Sequence, residues 1–497
     1  MESISEIDIK ARVSRDNPWW ADARLVPSDS ALPRRVYFES FARLALNFDV
    51  RRATVLLGPR RVGKTVMVKQ LIAEAVTLGI DNKNVLYITV DAPIYLGIPL
   101  EKFLEHLPGI KAGQRCLVFF DEIQYLPQWE VHLKDLVDGY PHVKFVASGS
   151  AAAALKLRSK ESGAGRFSDF MLPPLTFYEF LSFQNEEEKY IEERPLESGI
   201  NRFNIVDIDG LNDKFIDYLN YGGYPEVVFN PEIRSHSDQF IRNDIIDKVL
   251  LKDLPSLYGI SDIQELNKLF SFLAYNTGTE ASFENISQKS SITKPTIKKY
   301  IEYLESAFLI IKVKCVDDNC KTLQRARTFK VYLNNPSMRA ALFEPVSPQD
   351  GTSIGRLAES AIFSQWQHSR AFGNLRYARW KDGGEVDIVY LQPANQKPLW
   401  IGEIKWSDRI ETNPVTELSA ISALVKRHST IKDGFLTSRT IRKELDVHGK
   451  SFSVIPSSAY CYIVGKNATK SATLSLKEMT QAQPSPQQQL PLTAPGP

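Results

Sequence analysis

The sequence predicts an α/β protein: a parallel sheet carrying a phosphate-binding loop, then a mostly helical middle, then a second α/β unit. Three observations lead there. Between Arg51 and Phe183, short apolar runs alternate with helical patterns, as parallel strands covered by helices require. The first run, Val55 to Leu57, is followed by Gly58-Pro59-Arg60-Arg61-Val62-Gly63-Lys64-Thr65 and then by a helical segment, Val66 to Leu78. Far downstream, acidic residues stand inside two further apolar runs, Glu385 to Leu391 and Trp400 to Trp406.

The chain of 497 residues, 43% hydrophobic and 24% charged, has globular composition and length for about three domains. A net charge of +2 does not by itself imply a nucleic-acid partner, which has to be argued from local sites. The four cysteines (Cys116, Cys315, Cys320, Cys461) lack the spacing of a zinc site and read as reduced thiols. Met1 to Glu6 carries no basic-then-apolar signal, and no apolar run approaches the ~20 residues that span a bilayer. The expectation is a cytoplasmic protein with no membrane partner.

Residues 1–50 form a polar lead, the pair Trp19-Trp20 and an apolar helical stripe from Val36 to Leu46, expected to pack on the unit that follows. The tryptophans read as packing residues or as an interaction anchor. Residues 51–185 supply four strand-like runs, Thr54–Leu57, Asn84–Val90, Arg115–Phe120 and Val143–Ala147. At Gly58–Thr65 a strand, a glycine-containing turn and a helix N-terminus present backbone N–H groups to an anion. Lys64 can reach outer phosphates and Thr65 can hold Mg²⁺, so ATP and Mg²⁺ are the implied ligands. Asp121-Glu122 ends the third run. Paired carboxylates at the end of a buried strand are costly unless something positive faces them, so Asp121 would orient Mg²⁺ and Glu122 would position or deprotonate the attacking water. Ser148, or Ser150, ends the fourth run either as a phosphate sensor or as part of an ordinary turn. Arg166 reads as an arginine finger or as a surface residue; acting in trans it would require a homo-oligomer, acting in cis it would not.

The phosphate loop, Phe119 to Gln124, Ser148-Gly149-Ser150, Gly165-Arg166, Pro174 to Phe180 and Tyr221 to Glu226 together resemble the AAA-class P-loop ATPases of bacteria and archaea. They are similar to a group in which that ATPase is fused to a C-terminal domain. The resemblance spans most of residues 40–440 and departs at a polar insertion, Asn185 to Asp209, read as a surface excursion.

Residues 186–340 read as a helical lid ending in a winged helix. Two short helices flank a turn between Phe283 and Leu304; Thr293 caps the second and Pro295 suits its first turn. Ile297, Ile301, Leu304 and Phe308 share one face, leaving Lys294, Lys298, Lys299 and Tyr303 on others, while Leu309 to Val313 and Arg325 to Leu333 would form the wing. The lysines suit phosphate contacts with DNA, or the winged helix serves only to pack domains.

Residues 350–466 hold the second set of charges. Glu403 and Lys405 are two apart and share a face, whereas Asp387 points away from Val386 and Ile388. Two carboxylates and a lysine from adjacent strands suit metal-assisted phosphodiester cleavage: Asp387 and Glu403 hold Mg²⁺, Lys405 steadies the water or phosphate, and Glu359 adds a helix-borne carboxylate. The order of elements resembles the PD-(D/E)XK restriction-endonuclease fold, with Val386 in place of the proline. Residues 467–497 are polar and proline-rich and read as a disordered tail. Two functions stand open: an ATPase whose nucleotide state controls a nuclease-like domain acting on DNA or RNA, or an ATP-driven switch whose nuclease-like module is catalytically silent.

Overall fold

The computed structural model describes residues 5–149, 165–195, 201–320, 328–380 and 384–481. Ser150 lies outside them, as do residues 325–327 of the expected wing and 482–497 of the expected tail.

Five strands form the first sheet: β1 (Ala53–Leu57), β2 (Val85–Thr89), β3 (Cys116–Asp121), β4 (Val143–Gly149) and β5 (Phe167–Met171). Their order is β2-β3-β4-β1-β5, every neighbouring pair parallel. The four expected runs are the four fully or largely buried strands. β5 is an edge strand whose polar Ser168 and Asp169 interrupt the apolar signal, and the sequence reading passed over it.

The lead straps onto this sheet. Helix Phe38–Ala45 buries Phe38, Phe41, Ala42 and Ala45. Both tryptophans are packing residues: the Trp19 and Trp20 indoles donate to the Val85 carbonyl at 2.9 and 2.7 Å. Arg35 is buried against Glu179, its Nε 2.6 Å from Oε1, and also donates to the carbonyls of Val62 (2.9 Å) and Pro173 (3.0 Å).

The polar insertion is more than a surface excursion. β6 (Ile191–Pro195) and β7 (Asn201–Ile205) pair antiparallel, with Ile191 and Phe203 buried in a core shared with Tyr462. That tyrosine belongs to the last helix, Ser457–Gln481, which runs past residue 466, where the sequence pattern placed the start of a tail.

The lid contains helices Ile208–Tyr221 and Ile263–Tyr275 and, between them, wide π-helical turns at Phe240–Asp247 and Val249–Asp253. The winged helix follows: β8 (Glu280–Ser282), helices Phe283–Ser290 and Lys294–Ser306, β9 (Ile310–Val316) and β10 (Thr328–Leu333). Ser282 and Thr293 cap the two helices, and Ile297, Ile301 and Leu304 are buried. Phe308 falls beyond the helix end, only partly buried, because the chain turns there through a left-handed φ of 59°. Two residues expected to be free on the other faces have partners: Tyr303 stacks on Tyr258 with centroids 3.7 Å apart, and Lys294 pairs with Glu284. Lys298 and Lys299 are exposed.

The C-terminal unit consists of helix Gly351–Trp366, β11 (Leu375–Arg379), β12 (Glu385–Leu391), β13 (Pro398–Glu403), helix Ser419–Arg427, β14 (Asp433–Ser438), β15 (Lys443–Asp446) and β16 (Ser451–Pro456). It does not form a separate sheet. β9 pairs with β11 in parallel, Tyr377 opposite Cys315, so the wing and the C-terminal strands make one mixed nine-stranded sheet, β15-β16-β14-β13-β12-β11-β9-β10-β8. All four cysteines are buried free thiols, and no helix among the described residues is long and apolar enough to cross a membrane.

His368, just past the Gly351–Trp366 helix, joins this unit to the lead. It stacks on Tyr37 and its Nδ1 meets the Tyr37 hydroxyl. Burial lowers its pKa to about 3, against the opposing pull of Glu179. A free histidine titrates near ~6.5, so below that pH the unfolded chain takes up a proton that folded His368 refuses. The stability it contributes is complete above about 6.5 and is lost as pH falls toward about 3. The thermal stability advantage of wild type over His368→Gln should therefore shrink by about 2 kcal/mol between pH 7.5 and 5; an advantage independent of pH would mean that His368 accepts a proton where it sits.

Candidate functional site

The phosphate loop leaves the carboxyl end of β1 and enters helix Lys64–Thr77. Two glycines are dictated by geometry. A Cβ on Gly58 would lie 2.2 Å from the Leu172 carbonyl oxygen, and Gly63 has a φ of +95°. The buried Lys64 ammonium donates to the carbonyls of Gly58 (3.0 Å) and Pro59 (2.7 Å), so it caps its own loop; burial lowers its pKa against the pull of Glu122 and Asp121.

Thr65 Oγ1 donates to Asp121 Oδ2 at 2.8 Å, and the Tyr87 hydroxyl donates to the same oxygen at 2.8 Å. Ser148 donates to Asp121 Oδ1 and accepts the Glu122 N–H at 3.3 Å. The serine thus holds the carboxylate rather than standing free to sense a phosphate. Glu122 has a left-handed φ of 55°, uncommon for a side-chain-bearing residue, and its carboxylate accepts from Gln124. Burial raises its pKa, opposed by Lys64. These contacts bring together Lys64, Thr65, Asp121, Glu122 and Ser148.

They do not bring in Arg166. It precedes β5, its carbonyl bonds to the N–H of Ala53 at the start of β1, and its guanidinium pairs with Asp138. In a parallel sheet that is the end opposite the loop, which follows Leu57. Arg166 therefore does not act on the nucleotide site of its own chain.

Beside the loop lies a cavity of about 670 Å³ lined by Arg60, Arg61, Lys64, Thr65 and Glu122, by Leu32 and Pro33 of the lead, and by Pro225, Phe229 and Lys248 of the lid. The lid residues were not read from the sequence as site residues. Arg60 makes a two-pronged pair with Asp253 (2.7 and 2.7 Å) and donates to the Tyr125 hydroxyl at 3.1 Å. Arg61 reaches Asp244 (2.9 Å) and Glu226 (3.2 Å). The loop's arginines are therefore bound to the π-helical turns and to the Tyr221–Glu226 stretch, while Val62 is held by Arg35.

The C-terminal charges also meet. Asp387 Oδ2 accepts the Ile404 N–H at 3.0 Å, and Lys405 pairs with Glu403 Oε1 at 2.7 Å. A residue outside the expected set enters from the wing: Lys330 on β10 lies 2.7 Å from Glu359, 2.7 Å from Glu385 and 3.0 Å from Asp387. Burial raises the pKa of Glu403 to about 8, with Asp387 adding to the rise, and that of Glu359 to about 7. Lys330 and Lys405 hold Asp387 low against burial. Lys330 stands among these carboxylates, and among the described residues no group of three or more acidic, histidine or cysteine side chains is arranged to hold a metal ion. In this arrangement the position expected to hold Mg²⁺ between Asp387 and Glu403 is faced by the ammonium groups of Lys330 and Lys405.

Residues 50–181 match the family described as the AAA domain. This part of the chain is an AAA-type P-loop ATPase domain. Residues 212–349 match a domain of unknown function, DUF8612, which covers the lid and winged helix. The chain is 26% identical over 381 residues to an uncharacterized protein of Haemophilus influenzae, covering 72% of this chain and 87% of that one. It is 25% identical over 362 residues to the uncharacterized protein MJ1637 of Methanocaldococcus jannaschii, covering 70% and 75%. Among solved structures, Cdc6p from Pyrobaculum aerophilum aligns at 14% identity with a TM-score of 0.28, covering 66% of this chain and 97% of that one.

The AAA domain holds its lid through a shared apolar core and through the ion pairs of Arg60 and Arg61. Asp253→Ala would leave the Arg60 guanidinium partly buried without its carboxylate, a change costing roughly 3–5 kcal/mol when the charge stays unpaired. Without nucleotide, the Phe240–Asp253 stretch should become the first part of the variant cut by limited proteolysis, with amide exchange at least tenfold faster. Unchanged exchange would show that apolar packing alone secures the lid.

Proposed function

We propose that the chain binds and hydrolyses Mg-ATP and that its nucleotide state controls the C-terminal nuclease-like domain, whose substrate class is DNA or RNA. The observation that carries the ATP reading is the meeting of Lys64, Thr65, Asp121 and Glu122 beside a cavity whose other wall is the lid. Mg²⁺ would be held through Thr65 and Asp121 and would neutralise charge on the transferring phosphoryl group. The backbone N–H groups from Gly58 to Thr65 receive the phosphates, and Lys64 exchanges the carbonyls of Gly58 and Pro59 for phosphate oxygens. Glu122 orients the attacking water and accepts its proton. Tyr87 and Ser148 keep Asp121 in place.

Control of the rest of the chain follows from Arg60 and Arg61. A polyphosphate competes with Asp253, Asp244 and Glu226 for the same guanidinium groups, so nucleotide and lid are coupled through shared cations. A role for Arg166 on nucleotide requires a second copy of the chain, which makes a homo-oligomer part of that reading.

The nuclease-like reading draws on the order of elements and on the convergence of Glu359, Asp387, Glu403 and Lys405. Lys330 among those carboxylates favours a second reading, a catalytically silent module moved by an ATP-driven switch.

In the test, Glu122→Gln should bind a fluorescent ATP analogue within about threefold of wild type while turnover falls at least a hundredfold. Lys64→Ala should lose binding itself. Wild type that neither binds nor turns over ATP would refute the core reading. Plasmid, linear and single-stranded substrates with Mg²⁺ or Mn²⁺, with and without ATP, decide the second half. Cleavage by wild type that Lys405→Ala lacks supports the nuclease, whereas substrates left equally intact by both alongside normal ATP turnover would establish the silent switch.

A further inference from the structure

Strand β10 serves two cores by the two-residue period of a pleated strand. Phe329, Val331 and Leu333 pack into the core shared by the AAA domain, lid and winged helix, while Tyr332 packs into the core of the Gly351–Trp366 helix. Lys330 shares the second face and is 3% exposed. An ammonium has three N–H donors, and Lys330 has a carboxylate for each: Glu359, Glu385 and Asp387. It also lies over the Tyr377 ring, 5.5 Å from the centroid.

The carboxylates are correspondingly occupied. Asp387 has Oδ1 on Lys330 and Oδ2 on the Ile404 N–H. Glu359 accepts from Lys330 and from the Tyr332 hydroxyl, both at Oε1. Glu403 carries the buried oxygen that is left without a partner. It is 7% exposed, Lys405 takes Oε1, and Oε2 is buried with no hydrogen-bond partner. An orphaned, buried carboxylate oxygen beside a three-way lysine pair marks a site whose ligand-binding capacity is not used up by the fold.

We infer that Lys330 is the resident cation of this site, standing in for a divalent cation, so that the wing docked in its present register keeps the carboxylates closed to metal. The four carboxyl groups Glu359, Glu385, Asp387 and Glu403 face two ammonium groups, Lys330 and Lys405, with Arg379 at the rim, 3.6 Å from Glu385. Removing Lys330 leaves an acidic pocket with Asp387 Oδ1 and Glu403 Oε2 free, a hard-oxygen donor set for Mg²⁺ or Mn²⁺. Because β10 is the wing, whatever draws the winged helix from the Gly351–Trp366 helix draws the ammonium with it. The inference rests on the nuclease-like reading of the domain, but its test reads metal uptake and not cleavage, so either can fail without the other.

The measurement is Mn²⁺ binding to the full nucleotide-free chain, followed by the electron paramagnetic resonance signal of free Mn²⁺. Wild type and Asp387→Asn should take up Mn²⁺ equally, because Asp387 is not available to it. Lys330→Met should gain about one further Mn²⁺ per chain, at least tenfold tighter than any wild-type uptake, and Lys330→Met/Asp387→Asn should lose it. Lys330→Gln, which keeps two donors, should bind more weakly than Lys330→Met. ATP-analogue binding at the phosphate loop checks that each variant is folded. Wild-type uptake that falls in Asp387→Asn would overturn the inference without recourse to any Lys330 variant. So would a folded Lys330→Met that binds no more Mn²⁺ than wild type.

Discussion

The arrangement depends most on the buried pair of Arg35 and Glu179. Taking a guanidinium and a carboxylate out of water costs several kcal/mol per ion, and only close geometry with every donor used offsets it. That condition is nearly met, with four of the five N–H groups used: two donate to Glu179, one to the Val62 carbonyl inside the phosphate loop and one to the Pro173 carbonyl beyond β5. Glu179 in turn completes a capping box with Thr176 at the start of helix Phe177–Phe183. One ion pair thus ties the lead to the loop, to the exit of the sheet and to the next helix. Tyr37, two residues after Arg35, carries the tie on to His368.

The second constraint is the sheet that crosses the expected domain boundary. Here β9 joins β11, and β10 turns one face to each core, so wing and C-terminal unit cannot separate without breaking strand pairing or exposing buried faces. A contiguous path of contacts therefore runs from Arg60 and Arg61, through the π-helical turns and the winged-helix core, to β10 and Lys330.

What was legible in the sequence was local. The phosphate loop, Asp121-Glu122 and the pairing of Glu403 with Lys405 are set by residues within a few positions of one another, and their spacing carries the geometry. Arg166 shows the limit. Which end of the sheet it occupies depends on recognising Phe167–Met171 as a strand parallel to β1, and the edge position dilutes that signal with Ser168 and Asp169. Lys330 lies 29 residues from Glu359 and 57 from Asp387, beyond any local pattern. Its one trace was a lysine between Phe329 and Val331 in an otherwise apolar strand, the mark of a charge carried into a core toward a partner.

The two candidate sites share a logic with the signs reversed. At the loop, cations that a polyphosphate would attract are held by carboxylates of the lid. At the far site, carboxylates that a divalent cation would attract are held by an ammonium of the wing. In both, the native counter-charge belongs to an element that joins neighbouring units, so a ligand must replace a contact between units to bind fully. A ligand shifts a conformational equilibrium only by its differential affinity for the two states, and an inter-unit ion pair competing for the same atoms supplies such a difference. Such a pair is worth more here than at an open surface, because Asp253 and Lys330 are both buried and neither can fall back on water when its partner is taken. Displacing either therefore favours movement of the whole element over rotation of one side chain.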